Sequence, residues 1–118
     1  MSDDEKRRHH RFLALLEMKA RPGEGVPSDL KLTTIDVSTG GARCASNRAL
    51  QSDVPLWVTL TLVGGSLRAP EVVDIEATVL RCSELQGAQG DRRYEIILRF
   101  SGMEAADRKR LQSYLNSL

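Results

Sequence analysis

Between residues 56 and 62 the chain reads LWVTLTL, and its apolar and polar positions alternate. Val58, Leu60 and Leu62 fall on one side of an extended chain, Thr59 and Thr61 on the other. The run VVDIEATVLRC repeats the pattern, with Val73, Ile75, Ala77 and Val79 on one face and Asp74, Glu76 and Thr78 on the other. In YEIILRF the shared face is Tyr94, Ile96, Leu98 and Phe100. A period of two is the mark of a half-buried strand. LKLTTIDV is rich in Thr, Ile, Leu and Val and predicts another strand. STGG then makes a turn, and ARCAS supplies a short return strand. The segment SELQGAQGDRR is a polar loop. Strands with alternating faces joined by short turns predict an antiparallel barrel or sandwich.

The two ends differ from this middle. FLALLEMKA, residues 12–20, favours helix by propensity, yet its alternation of Phe12, Ala14, Leu16 and Met18 fits a strand. RPGEGVP breaks whichever element that is. From residue 101 the period changes. Ser101 and Glu104 have the spacing of a capping box, Glu104 and Arg108 that of a helical ion pair. Leu111, Leu115 and Leu118 recur at helical spacing beside Tyr114. The pattern predicts one amphipathic helix packed on the sheet or over a barrel mouth.

A chain of 118 residues is the size of one domain and can bury a core without staples. Its formal net charge is only +1, so bulk electrostatics do not make it a polyanion binder, and any basic function is local. Cys44 and Cys82 form no C-x-x-C pair and follow no secretory leader, so both are expected as reduced thiols in a cytoplasmic protein. No apolar run is long enough to span a bilayer, and no membrane insertion is expected.

Catalytic signatures are missing. There is no G-x-S-x-G elbow and no P-loop lysine. His9 and His10 are the only histidines, and neighbours in an extended arm point opposite ways, which makes a poor metal site. No enzyme, metal or cofactor is expected. Two stretches remain. KRRHHRF, residues 6–12, crowds charge ahead of the first apolar run, and residues 1–11 are expected as a flexible arginine-rich arm. DVSTGG, residues 36–41, contains two side chains that fold back on backbone amides and two glycines that tolerate positive φ. Taken singly, the first is a solvated tail and the second an ordinary hairpin turn.

Together they carry a resemblance. Arg7 and Arg11 form R-x-x-x-R with Arg8 between them, and Asp36, Ser38 and Gly41 form D-x-S-x-x-G. Both motifs, in this order and on this strand pattern, resemble a PilZ domain, the bacterial receptor module for cyclic di-GMP. The resemblance spans residues 6–118 as a single domain. It implies a six-stranded antiparallel β-barrel with a C-terminal α-helix, and it makes FLALLEMKA a strand. It implies a ligand site of Arg7, Arg8, Arg11, Asp36, Ser38, Gly40 and Gly41. The chemistry suits such a ligand, which offers two phosphates and two guanines. Arginines pair with phosphate or guanine and stack on bases, and a carboxylate accepts from guanine N1–H and N2–H₂. Ser38 holds the turn or bonds the ligand, and Gly41 leaves it room. Arg43, Arg81 and Arg99 are further candidates near the site. One position departs from the family's pattern. PilZ domains often carry glycine three residues before the closing phenylalanine, where this chain has Ile97 ahead of Phe100. Its side chain is expected to point outward, where it crowds a ligand, packs on it or meets a partner.

The expected function is therefore a stand-alone receptor for cyclic di-GMP. Its arm orders on the ligand, and a separate effector protein then reads the new surface to control motility, polarity or exopolysaccharide. The alternatives are a PilZ-type adaptor that works by protein contacts alone and a small barrel that binds single-stranded nucleic acid. The last normally stacks bases on aromatics, which are 4% of this chain, and no nucleic-acid partner is expected.

Overall fold

The computed structural model describes residues 11–88 and 90–118. Among the described residues seven strands appear: β1 (Phe12–Leu13), β2 (Glu17–Ala20), β3 (Leu32–Val37), β4 (Gly41–Ser46), β5 (Pro55–Leu62), β6 (Glu71–Glu84) and β7 (Tyr94–Gly102). One helix, α1 (Ala105–Asn116), follows them. All pairings are antiparallel. Both β1 and β2 pair with β3, so they are two halves of one interrupted stave. FLALLEMKA is thus extended rather than helical. The break falls where Thr34 ties the segment down by its side chain: its hydroxyl donates to the Ala14 carbonyl at 2.6 Å and accepts from the Leu16 amide at 2.9 Å. From that stave the sheet runs through β5, β6, β7 and β4 and returns to β3, closing a six-staved barrel. Closure removes the exposed edges on which open sheets aggregate.

The alternation read from the sequence is the alternation of inside and outside. Val58, Leu60, Leu62, Val73, Ile75, Ala77, Val79, Ile96 and Leu98 all face the core at 2% exposure or less. Helix α1 adds Leu111, Tyr114 and Leu115 to the same core. It is tied to the barrel by the Tyr114 hydroxyl, which donates to the Val63 carbonyl at 2.7 Å.

Three local expectations fail at the helix. No capping box forms, because β7 runs on through Gly102 and takes Ser101, whose hydroxyl donates to the Glu76 carbonyl. Glu104 becomes the N-cap with no side-chain bond. Arg108 reaches the Thr39 carbonyl at 3.4 Å across the barrel end. Leu118 lies beyond the helix and is half exposed.

Three irregularities interrupt the ladders, and two of them shape the outer face. Between Thr34 and Asp36 the register of β3 on β4 slips, so Asp36 rather than Ile35 stands opposite Arg43. Between Val79 and Arg81 the register of β6 on β7 slips, so Leu80 is the extra residue and Arg81 pairs with Ile97. Bulges of this kind re-aim side chains, and here Leu80 and Arg81 are both exposed.

Candidate functional site

With those two slips in place, one row of cross-strand neighbours crosses five strands. Leu13 pairs with Asp36, Asp36 with Arg43, Arg43 with Ile97, and Ile97 with Arg81. At about 4.8 Å per strand the row is roughly 19 Å long. Arg11 precedes it, Leu80 flanks Arg81, and Glu95 stands two residues from Ile97 along β7. These eight residues line a cleft of about 690 Å³ on the barrel's outer surface. That volume lies within the range of about 300–1,000 Å³ typical of small-molecule sites.

The electrostatics centre on Asp36. Its residue is 8% exposed although it sits on the outer side of the ladder. Arg43 donates from Nε to Asp36 Oδ2 at 3.0 Å and from an Nη to Glu95 Oε2 at 3.3 Å. Arg11 approaches Asp36 Oδ1 at 3.6 Å, an ion pair but beyond hydrogen-bond distance. Asp36 Oδ1 is buried and has no hydrogen-bond partner among the described residues. A buried carboxylate oxygen left without a hydrogen bond costs free energy even beside a cation, so it is a standing demand for a donor. Three arginines, two carboxylates and the apolar surfaces of Leu13, Leu80 and Ile97 make the lining cationic by one charge, with greasy walls.

The D-x-S-x-x-G residues divide into two roles. Asp36 faces the cleft, whereas Ser38, Gly40 and Gly41 are outside its lining and form the turn beside it. The Ser38 hydroxyl accepts from the amides of Gly40 and Gly41, each at 3.1 Å. The Ser38 amide donates to the Gly41 carbonyl at 2.9 Å. Gly41 is not at positive φ; a Cβ there would run into the Leu98 carbonyl of β7, closer than real Cβ atoms come to backbone. The glycine therefore lets β4 and β7 approach each other. Of the arm, Arg11 reaches the site, while Arg7 and Arg8 lie outside the described residues, as do His9 and His10.

Arg43 and Arg81 belong to the cleft, and Arg99 does not; it pairs with Gly41 and Thr78 one step further along the barrel. Ile97 does point outward, into the middle of the row between the two arginines. Leu13, Leu80 and Glu95 were not foreseen. Alternation alone puts Leu13 and Glu95 on the outer face, but nothing in the sequence signals the bulge that presents Leu80.

Among the described residues no group of three or more His, Cys, Asp or Glu is placed to hold a metal ion. No described helix is long and apolar enough to cross a membrane. Cys44 and Cys82 are both free thiols, and burial pushes the Cys44 thiol up to about 12.

The comparisons with known proteins agree with this fold. The PilZ domain model matches residues 5–117. The chain belongs to the PilZ domain family, whose members are regulatory receptor domains. Its fold is similar to the Bacillus subtilis inhibitor of motility, MotI/DgrA, with a TM-score of 0.74 at 21% identity, over 93% of this chain. The chain spans 49% of that protein's length. It is similar as well to the PilZ domain of YcgR from Escherichia coli, solved with c-di-GMP, with a TM-score of 0.72 at 18% identity. That match covers 96% of this chain and 91% of the other. No curated protein matches the chain's sequence.

Proposed function

We propose that this PilZ domain is a receptor for cyclic di-GMP that binds it in the Asp36 cleft and relays occupancy to a partner protein in the cytoplasm. The observation that carries the reading is Asp36 Oδ1, buried without a hydrogen bond from any described residue, in a cleft lined by Arg11, Arg43 and Arg81. Guanine offers N1–H and N2–H₂ side by side, the donor pair that such a carboxylate accepts. The arginines meet phosphates by charge-assisted bonds, or stack on base faces. Leu13, Leu80 and Ile97 give apolar surface for the bases. Arg7 and Arg8 complete the phosphate contacts, and Ser38, Gly40 and Gly41 hold Asp36 in place through the turn. YcgR's domain, similar in fold, was solved with the same ligand. On this reading the domain carries out no catalysis, needs no metal or cofactor, and has no nucleic-acid partner.

Calorimetry with purified protein and cyclic di-GMP tests it. Binding is expected, and Arg11→Ala and Asp36→Ala are each expected to weaken it at least tenfold. No heat at tens of micromolar ligand, or binding indifferent to both substitutions, overturns the receptor reading. One observation favours the adaptor instead: Ile97 occupies the centre of the cleft, where the family often has glycine. An intact cellular phenotype in an Arg7→Ala, Arg11→Ala double variant would select that alternative.

A further inference from the structure

Glu95 is the residue of the cleft that the receptor reading leaves without a task. Asp36 meets Arg43 directly across the ladder, while Glu95 lies on the diagonal, two residues from Arg43's partner Ile97. Diagonal neighbours on one face are within reach of long side chains. Arg43 spans both, giving Nε to Asp36 and an Nη to Glu95. One guanidinium is thus held between two carboxylates.

The two carboxylates are not equivalent. Asp36 keeps a buried oxygen without a hydrogen bond among the described residues, and Glu95 does not. A second carboxylate also works against an anionic ligand. With Arg11, Arg43 and Arg81 opposed by Asp36 and Glu95, the lining carries a formal +1; without the Glu95 charge it would carry +2. A dianionic ligand finds fewer unopposed cations because Glu95 is there. In a half-desolvated cleft such charge effects are stronger than in bulk water.

We infer that Glu95 is a built-in competitor for Arg43: its carboxylate holds the guanidinium in the empty site, a ligand phosphate takes its place, and Glu95 thereby sets the ligand concentration at which the domain responds. The inference rests on the receptor reading and adds to it a residue that tunes affinity downward. Arg43 and Asp36 act on the ligand itself; Glu95 is a positioning residue that acts through Arg43.

The test is calorimetric titration of cyclic di-GMP into wild type, Glu95→Gln, Glu95→Asp, Arg43→Ala and the Glu95→Gln, Arg43→Ala double variant, at two ionic strengths. Glu95→Gln keeps the shape and removes the charge, and is expected to bind three- to tenfold more tightly than wild type, with a steeper loss of affinity on adding salt. Glu95→Asp keeps the charge but withdraws it from Arg43, and is expected to fall between the two. In the Arg43→Ala background the gain from Glu95→Gln is expected to shrink below twofold, which a merely structural role for Glu95 does not require. Wild-type binding with Glu95→Gln equal or weaker overturns the inference and leaves the receptor reading standing; weaker binding would make Glu95 a contact to the ligand. Absence of binding in wild type and Glu95→Gln alike overturns the receptor reading itself.

Discussion

Two depressions on the outer barrel surface cross the same two strands with opposite charge. The cleft around Asp36 takes Leu80 and Arg81 from β6 and Glu95 and Ile97 from β7. About four residues away along β6, roughly 13 Å at ~3.3 Å per residue, begins a second groove. It is lined by Trp57, Asp74, Glu76, Gly102, Met103, Glu104 and Asp107, four carboxylates with no arginine or lysine among them. Its charges are partly satisfied within the fold: Thr59 donates to Asp74, Arg110 pairs with Asp107, and Arg21 stands over the Trp57 ring. A net charge of +1 therefore conceals a division of the surface into one region with a cationic lining and one with an anionic lining. On the receptor reading, the local arrangement decides where an anionic nucleotide goes.

The regions differ first in how tightly the backbone is packed beneath them, and the largest expected effects lie there. Gly41 behind the cleft and Gly102 in the groove both sit against a neighbouring strand. A Cβ at Gly41 meets the Leu98 carbonyl, which is rigid backbone, whereas one at Gly102 meets Glu76 Oε2 at 2.8 Å, the far end of a flexible side chain. Gly41→Ala is expected to destabilise the barrel by about 3 kcal/mol, at the upper end for overpacking. Gly102→Ala is expected to stay within about 1 kcal/mol, because Glu76 can swing away. Denaturant unfolding of the two variants measures the difference. Equal effects would mean that β4 and β7 can part as easily as a side chain moves.

Ligand affinity separates the regions next. On the receptor reading Asp36→Ala removes the guanine acceptor and loosens Arg43 and Arg11, so cyclic di-GMP affinity is expected to fall about 10–100-fold, the scale of a lost hydrogen bond to a charged group. Glu76→Gln, which removes a charge from the groove, is expected to change affinity less than twofold. A comparable loss from Glu76→Gln would break the division between cleft and groove.

Much of this contrast was legible in the sequence, and the missing parts have a common cause. Alternation placed Val58, Leu60 and Leu62 of β5 and Val73, Ile75, Ala77 and Val79 of β6 inward correctly, because burial on one face forces a period of two. The two motifs pointed to Arg11 and Asp36, although they are 25 positions apart and meet only once β1 lies on β3. The cleft as a row was not legible. It depends on the slips at Ile35 and Leu80, and a bulge leaves no mark in the pattern of apolar residues. Motif membership also does not distinguish a residue that lines the cleft, as Asp36 does, from residues that shape the turn, as Ser38 and Gly41 do. The capping box misled for a related reason: Ser101 has the right spacing, but the ladder to Glu76 claimed it first.

A smaller effect is expected at the position where the chain departs from its family. Ile97 stands between Arg43 and Arg81, and its side chain offers a base an apolar wall. Ile97→Ala is expected to weaken cyclic di-GMP binding by about three- to tenfold, the equivalent of about 1 kcal/mol of apolar contact. Calorimetry decides the sign, and tighter binding would mean that the isoleucine crowds the cleft instead of packing in it.

The smallest expected effect is a fluorescence change that should be almost absent. Trp57 is the chain's single tryptophan, it is 51% exposed, and it lies in the acidic groove rather than the cleft. A guanine stacked on an indole quenches it strongly, and a nearby rearrangement shifts its emission. If ligand stays in the Asp36 cleft and β6 holds its register, saturating cyclic di-GMP should leave the emission maximum in place and the intensity within about 10%. That expectation rests on the screening of exposed charges beyond about 8–10 Å. A strong quench would place a base in the groove against its four carboxylates. A shift without quenching would show that occupancy of the cleft is felt at the groove, along β6 or through the Arg108 contact to Thr39, and would make the groove the surface a partner reads.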